Sequence, residues 1–233
     1  MLWSLLMCEL DWHRVTAGAA RLELPERHTI VVVPHPDDEA LSSGGLIARQ
    51  RRRGVAVTIV AVTDGEAAYP SWPAPGLARV RQGEQARALH MLDVPARSTI
   101  RLHLPDGKVA DHEPELTEVL AALAAPGDLV VAPWVHDWHP DHEACGRAAR
   151  DATMRCGAGL LGSLFWAYHR VDPFVHPALE VAKLHLTKPE ANRRANALNA
   201  HRSQIQTTRH DPILDPKLTE HLDRNTEHFV IAS

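Results

Sequence analysis

Two short stretches concentrate the residue types that bind metals and move protons. "HPDDE" sets His35, Asp37, Asp38 and Glu39 directly after the apolar run "TIVVV". "HDWHPDHE" sets His136, Asp137, His139, Asp141 and His142 directly after "DLVVAP". Adjacent acids repel one another and are poor strand formers, so they are expected together where something positive sits among them. In each stretch a histidine stands three residues from a second ligand type, His35 from Asp38 and His139 from His142. That spacing turns both side chains to one side of a first helical turn. Imidazoles with a carboxylate facing a cleft fit a Zn²⁺ site with an open position for water. Two histidines and one carboxylate also suit non-haem Fe(II), so the pattern points to a metal more firmly than to which metal.

The elements that must position these residues follow from periodicity. Apolar, β-branched runs predict strands over 28–33, 55–62, 98–104 and 128–133. Helical patterns fall between and after them, over 40–54, 77–92, 113–125 and 142–155, the first ended by Gly54 at a C-cap position. Strands alternating with helices imply βαβ units. The fold class is therefore α/β, a doubly wound, mostly parallel sheet with helices on both faces. In the strand order 3-2-1-4-5 the first and fourth strands are neighbours at the switch point, and both ligand-rich loops then face one crevice. Further on, 163–168 and 179–186 read as strands and 189–206 as a helix, while the last twenty residues are weakly patterned. The proline-bearing loop over 63–76 is long enough to be functional or mobile. With no repeat or low-complexity linker, the chain reads as a single domain over 1–233, its motif-bearing core about 28–206.

"PHPDDE" followed by "HPDH", each after a strand, resembles the PIG-L/LmbE family of zinc-dependent de-N-acetylases. "TDGE" (63–66), Arg81 and Glu84, "LHLPDG" (102–107), Lys188 and "HRSQ" (201–204) extend the resemblance from about His28 to Gln204. It implies a Rossmann-like α/β fold. It implies Zn²⁺, with Fe²⁺ or another divalent ion left open, held by His35, Asp38 and His142. It also implies Asp37 as general base, and His139 as an imidazolium that stabilises the oxyanion or protonates the leaving amine. Asp141 would orient one of the histidines. The neighbouring Asp137 and Asp141 are expected to favour a charged His139. Some members resembling this family carry a tyrosine where Asp137 stands here, so the resemblance implies no tyrosine-assisted step at this position. Arg81 and Glu39 are the candidates for substrate contact. The implied substrate is a small-molecule N-acyl amino sugar or glycoconjugate.

Bulk properties narrow the alternatives. The 233 residues are 45% hydrophobic and 23% charged, enough for a core without staples. A net charge of −4 argues against nucleic acid as partner. The basic cluster Arg49–Arg53 reads as the solvated end of a helix, where cations suit the dipole. Three cysteines, Cys8, Cys145 and Cys156, form no CxxC pair and imply a reducing compartment. The apolar start "MLWSLLMCEL" lacks a basic flank, and no run reaches the length of a membrane span. The expected location is cytoplasmic, and a homo-oligomer is compatible with all of this. Among 16 histidines most must be surface or satisfied core residues, and Cys145 reads as buried bulk. Trp72, Trp134 and Trp138 could stack on a sugar or simply pack. Arg81 and Glu84 could form a helix-surface ion pair. The function reading is a metal-dependent hydrolase removing an N-acyl, chiefly N-acetyl, group from an amino sugar. The alternatives are an amidase of a thiol-sugar conjugate, an antibiotic-tailoring deacetylase, or a non-catalytic sugar-binding protein of the same fold.

Overall fold

Residues 29–33 are buried along their whole length, and this explains the layering. The side chains of one strand alternate between faces, so both faces must be covered. Val31 and Val33 join one apolar cluster with Leu46, Ile47 and Leu89. Ile30 and Val32 join another with Leu116, Leu120 and Ala148. A strand buried on both sides is the mark of a parallel sheet sandwiched by helices.

The computed structural model describes residues 11–176, 178–206, 211–219 and 225–231. Cys8, His221 and the apolar start over 1–10 lie outside them. The chain builds β1 (Ala20–Arg21), β2 (Thr29–Val33), α1 (Asp38–Ser42), α2 (Gly44–Arg52), β3 (Val57–Thr63), α3 (Ala74–Met91) and β4 (Thr99–Leu104). It continues with α4 (Glu113–Leu123), β5 (Leu129–Pro133), α5 (Pro140–Cys156), β6 (Gly159–Ser163) and α6 (Ala167–Arg170). The last labelled elements are β7 (Val181–His185), α7 (Lys188–Leu198), α8 (Arg202–Ile205) and β8 (Thr226–Ile231). The sheet runs β1-β7-β8-β6-β5-β2-β3-β4. All pairings are parallel except those of β8, which lies antiparallel between β6 and β7. The expected switch point is present: β2 pairs β5 on one side and β3 on the other.

Several expected elements differ. The helix expected over 40–54 breaks at Ser43, whose φ of −148° and ψ of 13° are not helical, giving α1 and α2. The break lets α1 follow the acidic turn while α2 packs on the sheet. The strand expected at 163–168 lies earlier, at β6, where it registers Leu129↔Gly159 through Pro133↔Ser163. Pairing with β5, not hydrophobicity, set those bounds. The helix expected over 189–206 stops at Leu198 and resumes briefly as α8. The weakly patterned C-terminus contains β8, with Phe229 fully buried. Arg49 is not solvated: it is buried, and it binds Glu190 and the His185 carbonyl. No helix among the described residues is long and apolar enough to cross a membrane.

Candidate active site

The parallel register of β2 and β5 carries both ligand-rich loops to the same sheet edge. There they line a cleft of about 330 Å³ with Arg81, Asp106 and Trp166. A second cavity, of about 360 Å³ beside Trp134, His136 and His176, has no carboxylate in its lining. Of these two, the first gathers the candidate residues of the sequence.

On the cleft floor Asp38 Oδ2 lies 3.3 Å from His35 Nδ1 and 3.3 Å from His142 Nε2. His142 Nδ1 donates to Asp137 Oδ2 at 2.8 Å. A carboxylate only accepts, so Nδ1 carries a hydrogen toward Asp137 and Nε2 is the nitrogen turned toward Asp38. That buried Nε2 has no hydrogen-bond partner. His35 is prepared in the mirror sense: Nε2 lies 3.1 Å from Asp141 Oδ2 and 3.2 Å from Asp106 Oδ1, leaving Nδ1 toward Asp38. A buried Nε2 without a hydrogen-bond partner, a second imidazole and a carboxylate converging on one point fit a divalent cation, which would take the place of the ring proton, and the carboxylates behind each histidine fit the usual outer partners. One nitrogen each from His35, His139 and His142 fall within 4.8 Å of one another, as do atoms of His35, Asp106 and Asp141. The latter group is the hydrogen-bonded support of His35 rather than a second centre.

The electrostatics agree with a site built around positive charge. Burial opposes a charged His142, but Asp38 and the Asp137 hydrogen bond outweigh it and push its pKa up to about 9. Burial likewise opposes a charged His35, and Asp106, Asp141 and Asp38 raise it all the same. Burial works to raise Asp38, yet His142 and His35 hold it well below the usual carboxylate range.

Asp37 sits beside this group on strained backbone, with φ 136°. For a residue with a Cβ this conformation costs on the order of 1–3 kcal/mol and persists only where its surroundings impose it. They do so here. The Asp37 N–H donates to Glu39 Oε2 at 3.2 Å, and Arg81 donates to the Asp37 carboxylate at 3.2 Å and to the Pro36 carbonyl at 2.7 Å. Burial raises the Asp37 pKa, Arg81 lowers it and Asp38 raises it, leaving it at about 6. A carboxylate near neutrality can both take and return a proton. Arg81 also donates to the Gly65 carbonyl; a Cβ at Gly65 would collide with its guanidinium, which accounts for glycine in "TDGE".

The sequence candidates divide accordingly. His35, Asp37, Asp38, His139, Asp141, His142 and Arg81 come together. Glu39 does not reach the cleft: it is fully buried, paired with His201 at 2.9 Å and bonded by Gln85. Arg81 and Glu84 form no surface ion pair either, since both are buried and Glu84 accepts from Ser203 at 2.6 Å. The charge expected on His139 is not favoured. Asp137 is spent on His142 and on the N–H groups of Phe165 and Ala167, and Asp141 on His35, Gly107 and Val109. Burial, with the charges of His35 and His142, lowers the His139 pKa to about 4. His139 Nδ1 accepts the Asp141 N–H at 3.3 Å, so its Nε2 carries the hydrogen.

The sequence profile described as PIG-L, GlcNAc-PI de-N-acetylase, matches residues 30–153, more than half of the chain. The chain belongs to the PIG-L family. It is 30% identical over 138 residues to a protein of Bacillus subtilis (strain 168) named probable N-acetyl-alpha-D-glucosaminyl L-malate deacetylase 2, a match covering 56% of this chain and 62% of that one. A Bacillus anthracis protein of the same name is 28% identical over 203 residues, covering 78% and 83%. Among solved structures, a conserved protein from Thermus thermophilus superposes with a TM-score of 0.65 at 25% identity, covering 88% of this chain and 94% of that one.

Within this PIG-L chain, sequence reasoning missed three contributors. Asp137 orients His142 and ties the loop to Phe165 and Ala167. Asp106 supports His35 and is itself fixed by the Ala67 N–H at 2.8 Å; "LHLPDG" was the available signal. Trp166 had none, because it lies at no characteristic spacing and meets His139 only in three dimensions.

Proposed function

We propose that this chain is a metal-dependent N-deacetylase, with Zn²⁺ the first candidate, that hydrolyses the N-acetyl group of an amino sugar conjugate. The observation that carries this reading is the convergence of His35 Nδ1 and His142 Nε2 on one oxygen of Asp38, with Asp37 alongside. The names of its Bacillus relatives support an N-acetylglucosaminyl conjugate as substrate class. His35, Asp38 and His142 would hold the cation, which supplies Lewis-acid polarisation of the amide carbonyl and acidification of water.

The chain's own groups do the rest. Asp37 takes the proton of the attacking water, and Arg81 holds its carboxylate in line. His139, neutral, donates its Nε2 hydrogen to the oxygen that becomes negative in the tetrahedral intermediate, a contact that strengthens past the ground state. Asp37, protonated by the first step, returns its proton to the departing amine. Asp137, Asp141 and Asp106 keep the histidine tautomers fixed.

The test is amine release from a panel of N-acetylglucosamine conjugates, using chelator-treated protein with and without added Zn²⁺. Zinc-restored release is expected. Failure to bind the metal, or no release from any member by metal-loaded protein, would refute the reading.

A further inference from the structure

The segment "HRSQ" (201–204) takes no part in the proposed chemistry, and neither does Glu39. The fold nevertheless buries His201 and Glu39 completely, against the turn that carries Asp37. His201 Nε2 lies 2.9 Å from Glu39 Oε1. A carboxylate only accepts, so Nε2 carries the hydrogen. The other carboxylate oxygen, Oε2, accepts the Asp37 N–H at 3.2 Å and the Gln85 side chain at 3.1 Å. Glu39 is thus fixed at both oxygens.

One face of α3 organises the arrangement. Arg81, Glu84 and Gln85 stand three and four residues apart and turn the same way. Arg81 holds the Asp37 carboxylate and Gln85 holds Glu39. Glu84 accepts the Ser203 N–H at 2.8 Å and the Ser203 hydroxyl at 2.6 Å, which clamps the segment that presents His201. The two ends of Asp37 are therefore held separately, its carboxylate by Arg81 and its N–H by Glu39.

The division matters because φ at Asp37 is 136°. A residue with a Cβ leaves that conformation unless its surroundings oppose it, and relaxation would turn the carboxylate. Glu39 opposes it only while its own buried charge has a partner, since a lone buried carboxylate is costly. His201 is that partner. Asp38 does not depend on this arm, because its carboxylate accepts the His35 N–H at 2.9 Å.

We infer that His201, acting through Glu39, is a positioning residue for Asp37, holding the strained backbone that sets its carboxylate in the cleft. This rests on the deacetylase reading, in which Asp37 is the general base.

The variants are compared, zinc-loaded, on an N-acetylglucosamine conjugate that the unmodified protein hydrolyses. Glu39→Ala should lose about 10²-fold in kcat, with KM and metal affinity nearly unchanged. Glu39→Gln should restore most of the rate. Its amide oxygen still accepts from Asp37 and Gln85, and its amide nitrogen donates to His201, whose unpartnered Nδ1 can take the ring hydrogen. His201→Asn withdraws the donor but keeps a polar side chain. It should show the same selective loss, and it stands in should Glu39→Ala fail to fold. An unchanged kcat in these variants overturns the inference. So does a loss shared by KM or metal affinity, or a Glu39→Gln as slow as Glu39→Ala. Exchange of the Asp37 amide hydrogen, followed by NMR, needs no turnover. Its protection should vanish in Glu39→Ala and persist in Glu39→Gln. That pattern in a protein that hydrolyses no conjugate sinks the deacetylase reading and keeps the positioning contact. Hydrolysis with protection unaltered by Glu39→Ala does the reverse.

Discussion

At the scale of single residues, the two nitrogens of His142 have opposite duties. Nδ1 is tied to Asp137 at 2.8 Å and Nε2 is buried without a partner. His142→Ala should therefore lose metal and activity together, whereas Asp37→Asn should keep metal and lose about 10²–10⁴-fold in kcat. Metal analysis beside turnover separates the two; full metal occupancy in His142→Ala would remove it from the ligand set. Asp137→Asn presents either an oxygen or an amide to Nδ1 and gives up the charge. It should weaken metal binding about 10–100-fold, read by competition with a chromophoric chelator, and an unchanged affinity would deny Asp137 its orienting part. His139 offers Nε2–H, since Nδ1 accepts from the Asp141 N–H. His139→Ala should lower kcat more than it raises KM and leave metal affinity nearly unchanged. A clear fall in metal affinity would instead make it a ligand.

Between elements, the contact of α2 with α7 depends on charge. Glu190 accepts from Arg49 at 2.6 Å, from Arg52 at 2.9 Å and from the Thr187 N–H at 2.8 Å, while also closing the capping box of α7. Burial works to raise its pKa, but the Arg49 hydrogen bond, the Thr187 N–H and Arg52 bring it down to about 2. An unfolded glutamate titrates near about 4.3. The folded pKa is the lower, so this stabilisation is complete above the unfolded value and is lost as pH falls toward about 2. Glu190→Gln should cost about 3 kcal/mol near neutrality, since it strands buried Arg49. Urea midpoints of the two proteins should converge as pH drops from about 4.3 to about 2; a gap independent of pH over that window would contradict the account.

Over the whole molecule, the last strand closes the sheet. β8 is flanked by β6 and β7, and its Glu227 accepts the N–H groups of Gly45 and Leu46 at 2.6 and 2.8 Å. It thereby satisfies the first turn of α2, just beyond the turn that carries Asp37 and Asp38. A chain ending at residue 224 would leave β6 and β7 unpaired on those edges and these donors buried without acceptors. It should show no cooperative unfolding transition by circular dichroism. A cooperative transition with retained metal binding would make β8 dispensable to the site.

The sequence by itself determined the alternation of strands and helices, the neighbouring of the first and fourth core strands, and the two loops that bear His35, Asp38 and His142. These depend on period and residue type, which are local properties. Only the tertiary structure decided what each supporting group touches. Glu39 meets His201, Arg49 meets Glu190, and Asp137 meets Phe165 and Ala167, all across long separations that no local pattern encodes. It made buried partners of Arg81 and Glu84, which helical spacing alone presents as a surface pair. It removed the charge expected on His139, because a carboxylate nearby in sequence acts on a histidine only if it points there, and Asp137 and Asp141 serve His142 and His35 instead. It also found β8, a strand whose pattern is weak because its place is set by the two antiparallel neighbours that receive it.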